Sequence, residues 1–197
     1  MRRVVVPFLL AAVLTGCSST EPGTPSAGGQ TSTGTQTGTS AKSAPVNRPR
    51  AVDLLALDPC TLVTPETRTA LGIRSVQPGT PDADYGEGSR GCGTSYEDRK
   101  FLWSIDTVVN GGADRLKRTV GQATGLTELE VAGYPAYLAT GRSGNRTAQC
   151  EVFLDANEGQ LLRVAVTAGL GNDSTADSAC ERAKPLAEAA GSALRAK

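Results

Sequence analysis

Five cysteines and a complete lack of histidine constrain this chain more than any other feature. Cys17 ends an apolar N-terminal run, whereas Cys60, Cys92, Cys150 and Cys180 are spread over the rest of the chain. The cysteines form no C-x-x-C pair, and histidine is the commonest partner of cysteine in zinc sites. We therefore expect no metal and no cofactor, and a structural role for the four later cysteines.

The first seventeen residues have the pattern of an export signal. A positively charged start precedes an apolar stretch, residues 4–14, which is shorter than the roughly 20 residues of a membrane-spanning helix. It ends in Leu-Thr-Gly-Cys at residues 14–17, which resembles the bacterial lipobox. The resemblance implies cleavage between Gly16 and Cys17, lipidation of Cys17 with palmitate among the acyl groups, and anchoring at the extracytoplasmic face of the cell membrane. The alternative is an ordinary signal peptide with a coincidental cysteine.

Residues 18–50 are predicted to be a disordered tether. They consist largely of Ser, Thr, Gly, Pro and Gln, and Val46 is their single large apolar residue. Such a segment cannot bury enough apolar surface to offset the entropy lost on ordering. The sequence thus predicts a signal peptide at 1–16, a lipidated cysteine and tether at 17–50, and one folded domain at 51–197.

The domain has an α+β pattern. Phe101, Trp103 and Ile105 alternate with Ser104 and Asp106, which is typical of a strand with one buried face. Three helices are predicted: one capped by Thr64 and Gly72, a short one at 113–120, and one at 175–195. Two strands are predicted at 126–131 and 136–140 around a turn at 133–135, and a hairpin is predicted at 149–155 and 160–167. Residues 73–91 are predicted to be a loop. We expect a mainly antiparallel sheet with the C-terminal helix packed on it.

With Cys17 assigned to the lipid, an even number of cysteines remains for an oxidising compartment, so two disulfides are expected. Three pairings are possible. We favour Cys60–Cys92, which would clamp a glycine-rich loop, and Cys150–Cys180, which would tie a strand to the terminal helix. Each bond closes a loop of about 30 residues and would contribute about 3–4 kcal/mol in the chain-entropy model.

Two motifs in the loop at 79–91 suggest ligands. Residues 86–91 match G-x-G-x-x-G, but a dinucleotide site needs a strand before the motif and a helix after it, and neither is predicted. Asp82 and Asp84 are spaced as in a calcium loop that lacks its later glutamate. We interpret both as parts of a solvated loop and leave open whether the loop binds anything.

The sequence excludes several enzyme classes and predicts no catalytic residue. Triads that use histidine are impossible, and neither S-x-x-K nor the Gly-Lys of a phosphate-binding P-loop occurs. A pair of catalytic carboxylates could lie anywhere among 20 acidic residues. A carboxylate-based hydrolase acting on an envelope substrate is therefore the alternative function, and it requires two acids in one cleft with a raised pKa.

Near the start of the domain stands Asp58-Pro59-Cys60, followed by Thr-Leu-Val-Thr-Pro-Glu at the beginning of the first predicted helix. This entry and the later cysteine positions resemble an actinobacterial lipoprotein family of unknown function, domain of unknown function 3558. The similarity extends over residues 53–195. The resemblance implies a lipid-anchored envelope domain and supports two disulfides, but it implies no activity.

The leading expectation for function is a non-catalytic binding or interaction module of the cell envelope. Its partner would be a protein, a cell-wall component or a small hydrophobic molecule. Nucleic acid is not expected, because 20 basic and 20 acidic residues balance. A deep apolar cavity would favour the small molecule, and an exposed flat apolar patch would favour a protein.

Overall fold

The computed structural model describes residues 46–142, 147–169 and 174–197. Its first α-helix, α1 (Pro65–Leu71), has the predicted ends. The hydroxyl of Thr64 accepts a hydrogen bond from the amide of Thr67, and Gly72 ends the helix at φ +62°, a conformation that glycine adopts without steric cost. A short 3-10 helix, Pro59–Leu62, precedes it.

Seven strands form one sheet in which every neighbouring pair is antiparallel. The spatial order is β1-β2-β3-β7-β6-β5-β4. The strands are β1 (Pro78–Gly79), β2 (Gly91–Ser95), β3 (Phe101–Val108), β4 (Thr127–Val131), β5 (Tyr134–Arg142), β6 (Ala148–Asn157) and β7 (Gln160–Ala168). Two more α-helices, α2 (Gly112–Thr124) and α3 (Ala176–Arg195), and a second 3-10 helix, Ala83–Tyr85, complete the described elements. The predicted fold class is confirmed.

The main core lies between α3 and one face of the sheet. The helix begins at Thr175, which forms a capping box with Ser178. A stripe of mostly small residues along this helix is buried and lets the helix pack closely on the sheet. The stripe comprises Cys180, Ala183, Ala187, Ala190 and Leu194. Opposite it, alternate residues of the central strand β7 (Leu162, Val164 and Val166) are fully buried.

Both predicted disulfides are present. Cys150 in β6 is bonded to Cys180 in α3, and Cys60 is bonded to Cys92 in β2, each with a Cα–Cα distance of 5.1 Å. The first bond ties the central sheet to the helix that covers it, and the second ties the entry to the domain to an outer strand.

The turn predicted at residues 133–135 is wrong. Tyr134 and Pro135 already belong to β5, and the two turn residues are Ala132 and Gly133, with φ of +52° and +85°. Positive φ at both positions is typical of the tightest hairpin turns. Proline is compatible with the first residues of a strand, so its position in the sequence did not mark the turn.

Residues at the end of the predicted tether contact the domain. Arg48 forms an ion pair with Asp155 of β6, and just beyond the tether the amide of Val52 donates to the carbonyl of Ala156. The ion pair thus joins a residue of the predicted tether to the sheet. None of the helices in the described ranges is both long enough and apolar enough to span a membrane.

Candidate functional site

The sheet face opposite α3 carries a second, smaller apolar cluster. Along β7 this face presents Leu161 and Arg163, because residues of a strand alternate between the two faces. Leu161 packs with Val108 of β3 and Phe153 of β6, and α2 contributes Leu116 from above. The same cluster includes Tyr137 and Ala139 of β5. The helix covers only part of the sheet face, and a pocket opens beside it.

The pocket has a volume of about 220 Å³ and lies between α2 and the sheet. Apolar side chains form most of its wall, namely Val108, Leu116, Val120, Phe153 and Leu161. Its polar groups come from Tyr85, Asn110, Arg115, Thr119 and Glu151. An apolar cavity with a few polar groups is the usual form of a small-molecule site.

A cluster of buried charges adjoins the pocket and is centred on Arg163. Its guanidinium lies 2.7 Å from Oδ2 of Asp106 on β3 and 2.6 Å from Oε1 of Glu151 on β6. It also donates to the hydroxyl of Ser104, which in turn donates to Asp106. The side chains of Arg163, Asp106 and Glu151 are only 11%, 8% and 21% exposed. Glu151 lines the pocket, and it shares the guanidinium of Arg163 with Asp106.

Burial shifts the pKa of one carboxyl group in this cluster. The pKa of Asp106 is raised because desolvation outweighs the attraction of Arg163. The adjacent strand helps to enclose this carboxylate, since a Cβ built on Gly91 would lie 2.8 Å from Oδ1 of Asp106. The absence of a side chain at Gly91 therefore makes room for the charge.

Tyr85 links the charge cluster to the pocket. Its ring lies over the guanidinium of Arg163, with 5.5 Å between the ring centre and Cζ. Burial raises the pKa of the Tyr85 phenol to about 12. The carbonyl of Tyr85 accepts a hydrogen bond from the amide of Val109, and the side-chain amide of Asn110 donates to the carbonyl of Asp84. These bonds fasten the loop beside the pocket.

The motifs of this loop have structural roles. Asp82 caps a 3-10 helix, Ala83–Tyr85, by accepting from the amide of Asp84. Gly91, at the end of the G-x-G-x-x-G match, begins strand β2. Across the described ranges, no group of three or more acidic or cysteine side chains is placed to hold a metal ion. The residue of this loop that reaches the pocket is Tyr85, which no sequence motif singled out.

The other predicted site residues divide into two groups. Gly16 and Cys17, the expected cleavage and lipidation site, lie outside the described residues. The four remaining cysteines are all in disulfides. Asp106, Glu151 and Arg163 were not predicted as site residues, and nothing local in the sequence distinguishes them from solvent-facing charges.

The fold and the pocket define a small α+β domain, held by two disulfides, with a partly apolar cavity on the sheet face opposite its longest helix. A family model described as "Protein of unknown function (DUF3558)" matches residues 12–192. The chain belongs to this family. No curated protein and no solved structure matches it.

Proposed function

We propose that this protein is a lipid-anchored binding module at the outer face of the cytoplasmic membrane, which holds a small apolar molecule between α2 and the sheet. The observation that carries the binding role is the pocket of about 220 Å³ with apolar walls and polar groups at its edge. A cavity of about 150 Å³ can hold one benzene molecule, so this pocket suits a ligand of one or two rings or a short alkyl chain.

Three observations support the anchor. The lipobox-like residues 14–17 follow a short apolar run. The family match begins at residue 12, ahead of those four residues, so they belong to the stretch that the family shares. Two disulfides stabilise the domain, and such bonds persist in oxidising compartments outside the cytoplasm.

The distribution of apolar surface favours a small molecule over a protein partner. In the described part of the chain, the large apolar side chains that are exposed are Val46, Leu55 and Leu102. They are three single side chains on three segments of the chain, and single exposed apolar residues are normal on a protein surface. The pocket instead concentrates its apolar groups around one concave space.

Detergent partitioning of the wild type and of Cys17→Ala tests the anchor. The wild type is expected in the detergent phase, because two or more acyl chains anchor a protein stably, and Cys17→Ala is expected in the aqueous phase. Ser18→Ala, next to the modified residue, is the matched control and should partition like the wild type. Undiminished membrane association of Cys17→Ala would overturn the anchor.

A titration with 1-hexanol tests the pocket. The protein is residues 17–197 with Cys17→Ser, produced in an oxidising compartment. Saturable amide chemical-shift changes are expected at Leu116, Phe153 and Leu161. Thr119→Trp should abolish them by filling the pocket, because Thr119 lines it from the exposed side of α2, whereas the neighbouring Arg118→Trp should not. Absence of saturable changes in the wild type would contradict the binding role.

The carboxylate-based hydrolase is the second candidate, and one observation favours it. Asp106 and Glu151 converge beside a pocket, and the pKa of Asp106 is raised. The guanidinium of Arg163 contacts both carboxylates, however, and so occupies the space that a glycosidic bond would need between its two acids. An enzyme would lose its turnover of envelope glycans in Asp106→Asn, whereas a binding module has no such turnover to lose.

A further inference from the structure

We propose that the pocket selects ligands with a protonated amine, which the carboxylate of Glu151 binds while the apolar part of the ligand lies against Phe153 and Leu161. The proposal rests on the binding function above and adds the charge of the ligand to it. It depends on where the acidic side chains lie relative to the pocket.

Glu151 is the acidic side chain among the residues that line the pocket. Its two contacts with Arg163, from Nε and Nη2, both end on Oε1. These contacts hold the carboxylate in one orientation and use one of its two oxygens. Oε2 lies outside this pair of contacts and can accept a hydrogen bond from an ammonium group that enters the pocket.

The charge of the cluster favours a cation at this position. Asp106 and Glu151 together carry two negative charges when ionised, and Arg163 supplies one positive charge. Charges with so little exposure are costly when they are not matched. A protonated amine beside Glu151 would restore the balance, whereas a carboxylate there would add a third negative charge.

Tyr85 provides a second contact for a cation. It lines the pocket, and its phenol lies within the electrostatic influence of Arg163 as well as of Glu151 and Asp106. Because burial raises its pKa to about 12, the phenol is neutral at pH 7 and adds no negative charge. The ring of Tyr85 already stacks on one cation, Arg163. Where the ring lines the pocket, it can contact a second cation, that of the ligand.

Arg115 also lines the pocket and would attract an anion instead. One of its nitrogens, Nη1, donates to Oδ1 of Asn110 at a distance of 3.2 Å. It projects from a helix whose outer side faces solvent, so water screens its charge more than that of the cluster on the sheet. We therefore assign the stronger selection to Glu151 and make an anion preference one of the outcomes of the test.

Three ligands with the same alkyl chain separate these possibilities: hexylamine, 1-hexanol and hexanoate, titrated at pH 7 into the chain with Cys17→Ser. We expect hexylamine to bind about tenfold more tightly than 1-hexanol, because its hydrogen bond to Glu151 is charge-assisted, and hexanoate to bind most weakly. Equal affinity of the amine and the alcohol, or a preference for hexanoate, would overturn the proposal.

The Glu151→Gln variant tests whether Glu151 causes the preference for the amine. This variant should bind hexylamine no more tightly than 1-hexanol, whereas Glu158→Gln, an equal charge change at an exposed turn, should keep the preference. A preference that survives in Glu151→Gln would also overturn the proposal. If Glu151→Gln does not fold, the wild-type series decides alone. Failure of 1-hexanol to bind the wild type refutes the pocket function, whereas binding of 1-hexanol without amine selection refutes only this inference.

Discussion

Nη2 of Arg48 lies 2.8 Å from Oδ1 of Asp155, which joins the segment ahead of the domain to the central sheet. Nε of the same arginine donates to both the backbone carbonyl and the carboxylate of Asp155. Asp155 is 3% exposed, and burial raises its pKa although Arg48 opposes the shift. The end of the predicted tether therefore supplies the partner of a buried charge.

Arg48→Ala should destabilise the domain by about 2–4 kcal/mol at pH 7, because it leaves Asp155 buried without its cation. The loss should shrink as the pH falls, since removing Arg48 raises the pKa of Asp155 further and protonation then removes the unpaired charge. Urea unfolding at pH 7 and pH 4 measures both effects. Arg50→Ala removes an equal charge from an exposed position, and an equal loss in that variant would contradict the explanation.

The stability of the Asp106→Asn variant relative to that of the wild type should increase as the pH rises. The pKa of Asp106 is raised in the folded state, so its contribution to stability is fully present below the unfolded pKa of about 3.9 and is lost as the pH rises through the folded pKa. Asparagine has no such titration. The free energy of unfolding of the variant minus that of the wild type should therefore increase between pH 3.5 and pH 7.5.

Chemical denaturation at a series of pH values measures this difference, and Glu158→Gln serves as the control for the change in net charge. The variant also loses a partner of Arg163, which shifts the whole curve without creating its slope. A difference that stays constant with pH would mean that Asp106 has the same pKa in the folded and unfolded chains.

A thiol reductant under native conditions should break Cys60–Cys92 before Cys150–Cys180. Cys60 is partly exposed, whereas Cys150 is fully buried in the central sheet beneath α3. Exchange requires a thiolate to reach one of the sulfurs, so access sets the order. Alkylation at intervals followed by peptide mass mapping identifies which cysteines become free. The same order in denaturant, where burial is removed, would argue against access as the cause.

Much of the fold could be predicted because its signals are local or countable. Thr64, Pro65 and Gly72 mark the ends of α1 by the chemistry of helix caps, and the four cysteines that follow Cys17 allow only three pairings. The strand around Trp103 was recognised from its alternation. The turn at Ala132 was missed because alanine rarely adopts positive φ.

The candidate site could not be predicted, because it depends on strands that are distant in sequence. The alternation that buries Trp103 assigns Asp106 to the opposite face, which the sequence alone indicates as solvated. In the structure Arg163 and Tyr85 cover that face, so Asp106 is buried. Arg48 was missed for a related reason, since its partner Asp155 is 107 residues away and the surrounding sequence is typical of a tether.

Two glycine-to-alanine substitutions should change stability in opposite directions. A Cβ on Gly93 of β2 would lie 2.3 Å from the carbonyl oxygen of Trp103, and backbone atoms of a paired strand cannot move aside without breaking the sheet. Gly121 lies inside α2, where a Cβ would meet the flexible side chain of Leu126 at 3.4 Å. Alanine also favours a helix over glycine by about 0.5–1 kcal/mol.

We expect Gly93→Ala to lower the free energy of unfolding by about 2 kcal/mol or more, as overpacking against fixed atoms does, and Gly121→Ala to raise it by a few tenths to about 1 kcal/mol. Paired urea denaturation of both variants measures the contrast, because each adds a single methyl group. Gly121→Ala should also leave 1-hexanol binding intact, since Gly121 is not among the pocket residues. If Gly93→Ala were as stable as the wild type, β2 and β3 could not pair in the register that places Gly91 beside Asp106.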